Sequence, residues 1–300
     1  MLSGRQIEFY RDNGYLVLEG HIPADDLAPV RAALRRIVDG ARGLVASDDV
    51  YDLEGSHRPD APRVRRIKLP HRVDPAFDAL VRSAAILAPV RDLVGPSLRL
   101  HNSKLNLKSA DYGAAVEWHQ DWAFYPHTND DVLAVGVMLD DVGPDNGPLK
   151  VLPGSHRGPV HDHHAGGRFC GAIDPAGLDL DRAVALTGPA GSVSVHHVRT
   201  VHGSDLNRSA RDRALLLYEI TAADAWPLKG SMGAFTDLAE YDSRLLCGDP
   251  TIAPRLADVP VRLPLPGPAD EGSIYENQKG AGARHFGVPA DSRGRVAQAT

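Results

Sequence analysis

The chain has 300 residues, 43% of them hydrophobic and 24% charged, with a formal net charge of −6. That length and apolar content can bury a full core, while the negative balance and the lack of a concentrated basic stripe argue against nucleic acid as the main partner. No apolar run approaches the ~20 residues of a membrane span and no signal-type apolar core opens the chain, so a cytoplasmic protein with no membrane partner is expected.

In chain order, Ser3 is placed to cap a short helix through Asn13 that Gly14 ends, and Tyr15–Leu18 reads as a strand. Leu27, Val30, Leu34 and Ile37 recur at helical spacing and predict an amphipathic helix over 25–40. The arginine-rich stretch 63–72 is interrupted by Pro62 and Pro70 and flanked by Asp60 and Asp74, which reads as a solvated loop. A second apolar-faced helix is expected over 75–94. Strands follow over 98–108, 116–121, 133–139, 149–151, 183–186, 192–196 and 213–221. The 29 glycines and 23 prolines are spread among these short apolar runs, as many strands and turns require. Helices first and strands after predict a mainly β fold with flanking α-helices around a double-stranded β-helix, the jelly-roll core of cupins. No repeat or linker divides the chain. A single domain over 1–300 is expected, with a helical part over about 1–97, a jelly-roll core over about 98–222 and a C-terminal extension over about 223–300.

The chemistry concentrates in Glu117-Trp118-His119-Gln120-Asp121 and in His202-Gly203-Ser204, with Arg213 eleven residues beyond the second histidine. Side chains two apart on a strand point the same way, so His119 and Asp121 can converge while Gln120 faces elsewhere. Glu117 shares that parity and is a rival carboxylate. Neutral imidazoles plus one hard carboxylate on a single face suit iron(II) and leave positions open for a co-substrate and dioxygen. Arg213 opens the apolar run Arg213-Ala-Leu-Leu-Leu-Tyr-Glu-Ile, where a guanidinium deep in a barrel needs an anionic partner. A dicarboxylate such as 2-oxoglutarate provides one.

The order His119-Gln120-Asp121, Gly143-Pro-Asp-Asn-Gly147, Leu152-Pro-Gly-Ser-His156 and His202-Gly203-Ser204 with Asn207, Ser209 and Arg213 resembles the phytanoyl-CoA dioxygenase family. The opening Gln6-Ile-Glu-Phe-Tyr-Arg-Asp-Asn-Gly-Tyr-Leu-Val-Leu is similar to that family's first helix and strand, so the likeness spans roughly residues 5–220. It implies an Fe(II)- and 2-oxoglutarate-dependent dioxygenase that uses O2, releases succinate and CO2, and hydroxylates an unactivated C–H of a small or medium metabolite. By the same resemblance His119, Asp121 and His202 bind iron, and Arg213 and Ser204 hold the distal carboxylate of 2-oxoglutarate. Asn106 or Lys104 on the preceding strand and Arg66 further upstream are further co-substrate candidates. Related halogenases carry a small residue in place of the carboxylate ligand, so Asp121 favours hydroxylation. A tryptophan that some relatives place on the strand after the H-x-D segment falls near Gly136 or Val137 here, and that wall of the pocket must be built differently.

Trp122, Tyr125 and His127 follow the metal pair directly and combine apolar faces with polar tips, which makes them candidates for substrate contact, with Phe124 expected to pack. His161, His163 and His164 lie in a glycine-rich loop and read as solvated or as a lid; the competing reading is a metal-dependent hydrolase built on them. His197 is expected to be structural, as is His156 in its turn. Residues 274–286 read equally as a tail or as a mobile cover. A non-catalytic cupin-like binding protein is the remaining alternative, and the intact His119, Asp121, His202 and Arg213 argue against it. Cys170 and Cys247 have no metal-type spacing and are expected as free thiols.

Overall fold

The computed structural model describes residues 1–111, 113–229, 237–269 and 273–286. Helix α1 (Gly4–Asn13) starts at Ser3 in a capping box with Gln6 and stops at Gly14, whose left-handed backbone turns the chain into β1 (Tyr15–Leu18). Helix α2 (Ala24–Asp39) then buries Leu27, Val30, Ala33 and Ile37 on one stripe. Short strands β2 (Tyr51–Leu53) and β3 (Val64–Lys68) follow, then α3 (Pro70–Val73), α4 (Pro75–Val81) and α5 (Ala84–Val94).

Two expectations change here. The basic stretch is not a solvated loop: Val64–Lys68 is a strand that pairs with residues 104–106 of the next one, so its arginines are set by pleat parity. The long helix expected over 75–94 is two helices, because Ser83 adopts extended backbone as an N-cap between them.

From residue 98 the chain is strand-rich: β4 (Leu98–Lys108), β5 (Val116–His119), β6 (Val132–Met138), β7 (Leu149–Val151), the small hairpin β8 (His164–Ala165) and β9 (Arg168–Phe169), β10 (Val184–Leu186), β11 (Val193–His197), β12 (His202–Ser204) and β13 (Arg213–Ala222). After β13 come α6 (Leu238–Ser243), β14 (Leu245–Cys247) and α7 (Ile274–Asn277). One antiparallel sheet runs β1-β11-β6-β13-β4-β3-β2 with β14 beside β4, and a smaller one runs β10-β7-β12-β5. The part before residue 98 is therefore not only helical, since β1, β2 and β3 extend the large sheet.

Alternation along the large sheet separates structure from chemistry. Leu216, Tyr218 and Ile220 of β13, Val135 and Val137 of β6, and Val193 and Val195 of β11 pack with Leu27, Val30, Phe77 and Ile86 of the helices. The other parity of β13 places Leu215 and Leu217 against Leu149, Val151 and Leu186 of the smaller sheet. Each fully buried aliphatic side chain here contributes about 1.5–3 kcal/mol, so both layers are held tightly around the space between the sheets. β13 is buried along all ten residues because both of its faces are covered.

Gly191, two residues before β11, has φ of +90°, and a Cβ there would sit 2.3 Å from the Ile22 carbonyl oxygen. The Ile22 amide donates to the Gly191 carbonyl at 2.9 Å, which fixes that approach. Gly191→Ala is expected to lose about 2 kcal/mol of stability, from left-handed backbone strain and the disturbed hydrogen bond. Chemical denaturation with equal m-values would check it.

Among the described residues no helix is long and apolar enough to cross a membrane. Cys170 and Cys247 are free thiols. The C-terminal extension expected from about 223 includes residues 230–236, 270–272 and 287–300, which lie outside the described residues.

Candidate active site

The site is assembled by strand register. β5 and β12 pair antiparallel with His119 directly opposite His202, which brings the two imidazole centroids to 4.1 Å. His119 Nδ1 donates to the Glu117 carbonyl at 2.8 Å and His202 Nδ1 donates to the Thr200 carbonyl at 2.9 Å. That leaves each Nε2 with its lone pair free. Asp121 is not on the strand: β5 stops at His119, and Asp121 opens a 3-10 turn with Trp122 and Ala123. Its carboxylate still reaches the same point, with Oδ1 3.8 Å from His119 Nε2 and Oδ2 3.9 Å from His202 Nε2.

His119, Asp121 and His202 are all buried, and among the described residues they alone place ligand atoms within 4.8 Å of one another. Burial pushes the His119 imidazolium down to about 4 and His202 well below its ordinary value, so both rings are neutral. Burial raises Asp121, but the Lys104 ammonium 3.8 Å away leads the groups that outweigh it and hold the carboxyl well below its ordinary range. Two neutral nitrogens and an ionised oxygen are the donor set that iron(II) requires, so these residues fit the metal.

Glu117, the rival carboxylate, is committed elsewhere: its Oε2 accepts from the His285 and Phe286 amides at 2.8 and 3.2 Å. Gln120 faces away from the cluster as strand parity requires, and it ties down the following loop by bonding to Pro159, His161 and Arg199 main-chain atoms. Among the described residues the histidine-rich loop gathers no metal-type ligand group. His163 Nε2 accepts from the Gln120 amide while its Nδ1 donates to the His161 carbonyl, and both His164 nitrogens are engaged by Asp162 and the Leu265 carbonyl.

An inner cavity opens from the three residues toward Arg213, lined also by Asn106, Lys108, Ser204, Leu215, Leu217 and Tyr275. Arg213 and Lys108 are almost completely buried, and their described hydrogen bonds go to backbone carbonyls: Arg213 to Asn146 and Gly147, Lys108 to Ser204 and Asp205. Burial lowers Arg213 to about 10, and burial together with Arg213 lowers Lys108 well below its ordinary value. Arg213 Nη1 has no hydrogen-bond partner among the described residues. The Arg213 guanidinium and the Lys108 amino group at the closed end of a cavity offer N–H donors to a carboxylate, so this end fits 2-oxoglutarate. Where a tryptophan was missing, Gly136 leaves room for Leu215, Leu217 and Ser194, which complete the wall.

An outer cavity adjoins the inner one through Lys104 and Asp121 and is lined by Arg66, Asn102, Phe124, Tyr125, Phe169 and Glu219. Lys104 forms an ion pair with Glu219 at 2.6 Å and lies 3.8 Å from Asp121. Three expectations shift. Arg66, a co-substrate candidate, lines this outer cavity and not the inner one. Trp122 is fully buried with its indole N–H donating to the Pro260 carbonyl, and His127 is buried behind Tyr125 with Nδ1 donating to the Tyr125 carbonyl. Phe124 lines the cavity in their place, because the 3-10 turn rotates the residues after Asp121 away from strand alternation.

Sequence reasoning assigned Lys108, Glu219 and His196 no place in the site. Lys108 shares parity with Lys104 and Asn106 on β4, and Glu219 shares it with Arg213 on β13, so alternation was the available signal. His196 lines the inner cavity with Nε2 3.6 Å from Asp121 Oδ2, whereas His197 faces outward and accepts from the Arg199 amide.

A His-Asp-His cluster between antiparallel sheets, beside a buried cationic pocket, defines an oxygenase that joins a metal ion to a small carboxylate. Residues 10–215 match the family described as Phytanoyl-CoA dioxygenase (PhyH). The chain is 40% identical over 95% of its length, and all of the relative's, to a protein of Stutzerimonas stutzeri named as a probable alpha-ketoglutarate-dependent hypophosphite dioxygenase. It is 31% identical to the L-proline trans-4-hydroxylase of Streptomyces griseoviridis, over 76% of this chain and 90% of that one. Among solved structures, EctD from S. alaskensis with 2-oxoglutarate and 5-hydroxyectoine superposes with a TM-score of 0.64 at 26% identity, covering 88% of this chain and 89% of that one. The chain belongs to the phytanoyl-CoA dioxygenase family, and it is an iron(II)- and 2-oxoglutarate-dependent dioxygenase that uses O2.

Proposed function

We propose that the chain is one dioxygenase domain on a double-stranded β-helix, which hydroxylates a compact metabolite carrying an anionic group. The antiparallel sheets around the site support the fold reading, and two free thiols accord with a cytoplasmic location. In this reading His119, Asp121 and His202 hold iron, and Arg213, Lys108, Ser204 and Asn106 receive 2-oxoglutarate at the inner cavity. Iron with 2-oxoglutarate supplies dioxygen activation coupled to decarboxylation, and Asp121 keeps the outcome hydroxylation rather than halogenation. The chain's own residues bind, orient and exclude water: Leu215 and Leu217 keep the inner cavity dry, and Lys104, paired with Glu219, holds Asp121 ionised.

The observation that carries the substrate class is the outer cavity, where Arg66 and Lys104 face Phe124, Tyr125 and Phe169. Arg66 Nε is buried without a hydrogen-bond partner among the described residues. Its unmet donor selects an anion, and the aromatic wall limits its size. The relatives named for hypophosphite and L-proline accord with a small charged substrate.

Succinate release measured over a panel of small phosphorus oxyanions, carboxylates and zwitterionic amino acids tests this, with neutral analogues of equal size as controls. Anion-dependent succinate release is expected. Arg66→Gln should raise the KM for the active anion about tenfold while leaving the 2-oxoglutarate requirement unchanged. Equal coupling by neutral analogues would sink the proposal.

A further inference from the structure

The inner cavity is closed by residues from outside the family-matched region. Ile274 and Tyr275 of α7 line it, although the match ends at residue 215. The segment 273–286 is fastened at several points. Gln278 accepts from the Glu117 amide at 2.9 Å and donates to the Gly171 carbonyl at 2.9 Å; Glu276 forms an ion pair with Arg65. Glu117 Oε2 accepts from the His285 and Phe286 amides, and the Phe286 ring lies 5.2 Å from Trp118. Gly203 makes the space for this contact, since a Cβ there would sit 2.8 Å from Phe286 Cε2.

Tyr275 is the member of this strap placed for chemistry. Its residue is 7% exposed, its hydroxyl is buried without a hydrogen-bond partner among the described residues, and Arg65 stacks over its ring at 4.7 Å. Arg213 Nη1, in the same cavity, is also without a partner. A buried phenol and a buried guanidinium, both with unmet donors and facing one space, need a shared acceptor.

We propose that the Tyr275 hydroxyl is a co-substrate-binding group, which donates to the distal carboxylate of 2-oxoglutarate beside Arg213, so that the C-terminal strap completes the co-substrate site and closes over it. This rests on the assignment of the inner cavity to 2-oxoglutarate. The phenol stays protonated for this task, because burial pushes it up to about 12. Ile274 and Asn277 line the outer cavity, so the same strap forms part of the boundary between co-substrate and substrate.

The test is an anaerobic titration of the full iron(II)-loaded protein with 2-oxoglutarate, following the visible absorption of the chelate, for wild type, Tyr275→Phe and Arg213→Gln. Tyr275→Phe removes one hydroxyl, keeps the ring under Arg65, and is expected to weaken 2-oxoglutarate binding by about tenfold to a hundredfold. Hydrogen exchange supplies a second reading: 2-oxoglutarate should slow exchange across 274–286 in wild type, and less so in Tyr275→Phe. Unchanged affinity in Tyr275→Phe with weakened Arg213→Gln overturns the role of the hydroxyl. Unchanged affinity in both removes the cavity assignment itself. A lowered melting temperature of co-substrate-free Tyr275→Phe would make the hydroxyl structural and equally overturn the proposal.

Discussion

Asp121→Ala is expected to abolish iron-dependent turnover, with a loss of about 10³-fold or more, the equivalent of about 4 kcal/mol. The carboxylate is the only anionic member of the three-residue cluster, and it sits 3.8 and 3.9 Å from the two imidazole nitrogens that would share the metal. Without it two neutral rings remain, and iron(II) loses its hard oxygen donor. The fold should survive, because Lys104 keeps its ion pair with Glu219 at 2.6 Å and is not left as an uncompensated buried charge. Circular dichroism and melting temperature should therefore stay near wild type while anaerobic iron titration shows weakened binding. Full turnover in Asp121→Ala would remove the metal assignment.

Arg213→Gln should act on a different quantity. The guanidinium opens β13 at the closed end of the inner cavity, where its described hydrogen bonds reach only backbone carbonyls. A charge-assisted bidentate contact to a carboxylate at such a site is worth about 2–4 kcal/mol, which predicts a rise of roughly 30- to 1000-fold in the 2-oxoglutarate requirement. Lys108 remains as a second N–H donor, so binding should weaken without vanishing. Turnover at saturating co-substrate should change far less. The co-substrate-free protein should not be destabilised, since the substitution relieves both desolvation and repulsion from Lys108. Arg213→Lys should restore only part of the affinity, because an ammonium cannot reproduce the planar two-point contact. An unchanged co-substrate requirement would mean that another group holds that carboxylate.

Much of this was legible before any coordinates. Periodicity located the helices α1 and α2 and most strands from residue 98 onward, because apolar spacing follows burial directly. His119, Asp121, His202 and Arg213 stand out by residue type within apolar runs. The misreadings have separate physical origins. Trp122 and His127 were chosen for polar tips close to the metal pair, but β5 ends at His119 and the 3-10 turn that follows buries both, leaving Phe124 at the cavity. The basic stretch around Arg66 was taken for a loop because prolines flank it, yet both flanking prolines lie outside β3, where they cost no ladder hydrogen bond. Tyr275 carried no local signal, since only tertiary packing joins residue 275 to a cavity built from strands some 60 to 170 residues earlier.

His119 and His202 each anchor to a carbonyl two residues back in the chain, Glu117 for one and Thr200 for the other. Their tautomers are thus fixed by main chain, which substitution cannot delete. Evolution can therefore rewrite the aromatic and charged walls of the outer cavity without retuning the two rings proposed to hold the metal. A scaffold insulated in this way can exchange one small substrate for another by changing side chains alone, and directed evolution for new specificity should concentrate its accepted mutations at positions such as Asn102, Phe124 and Phe169.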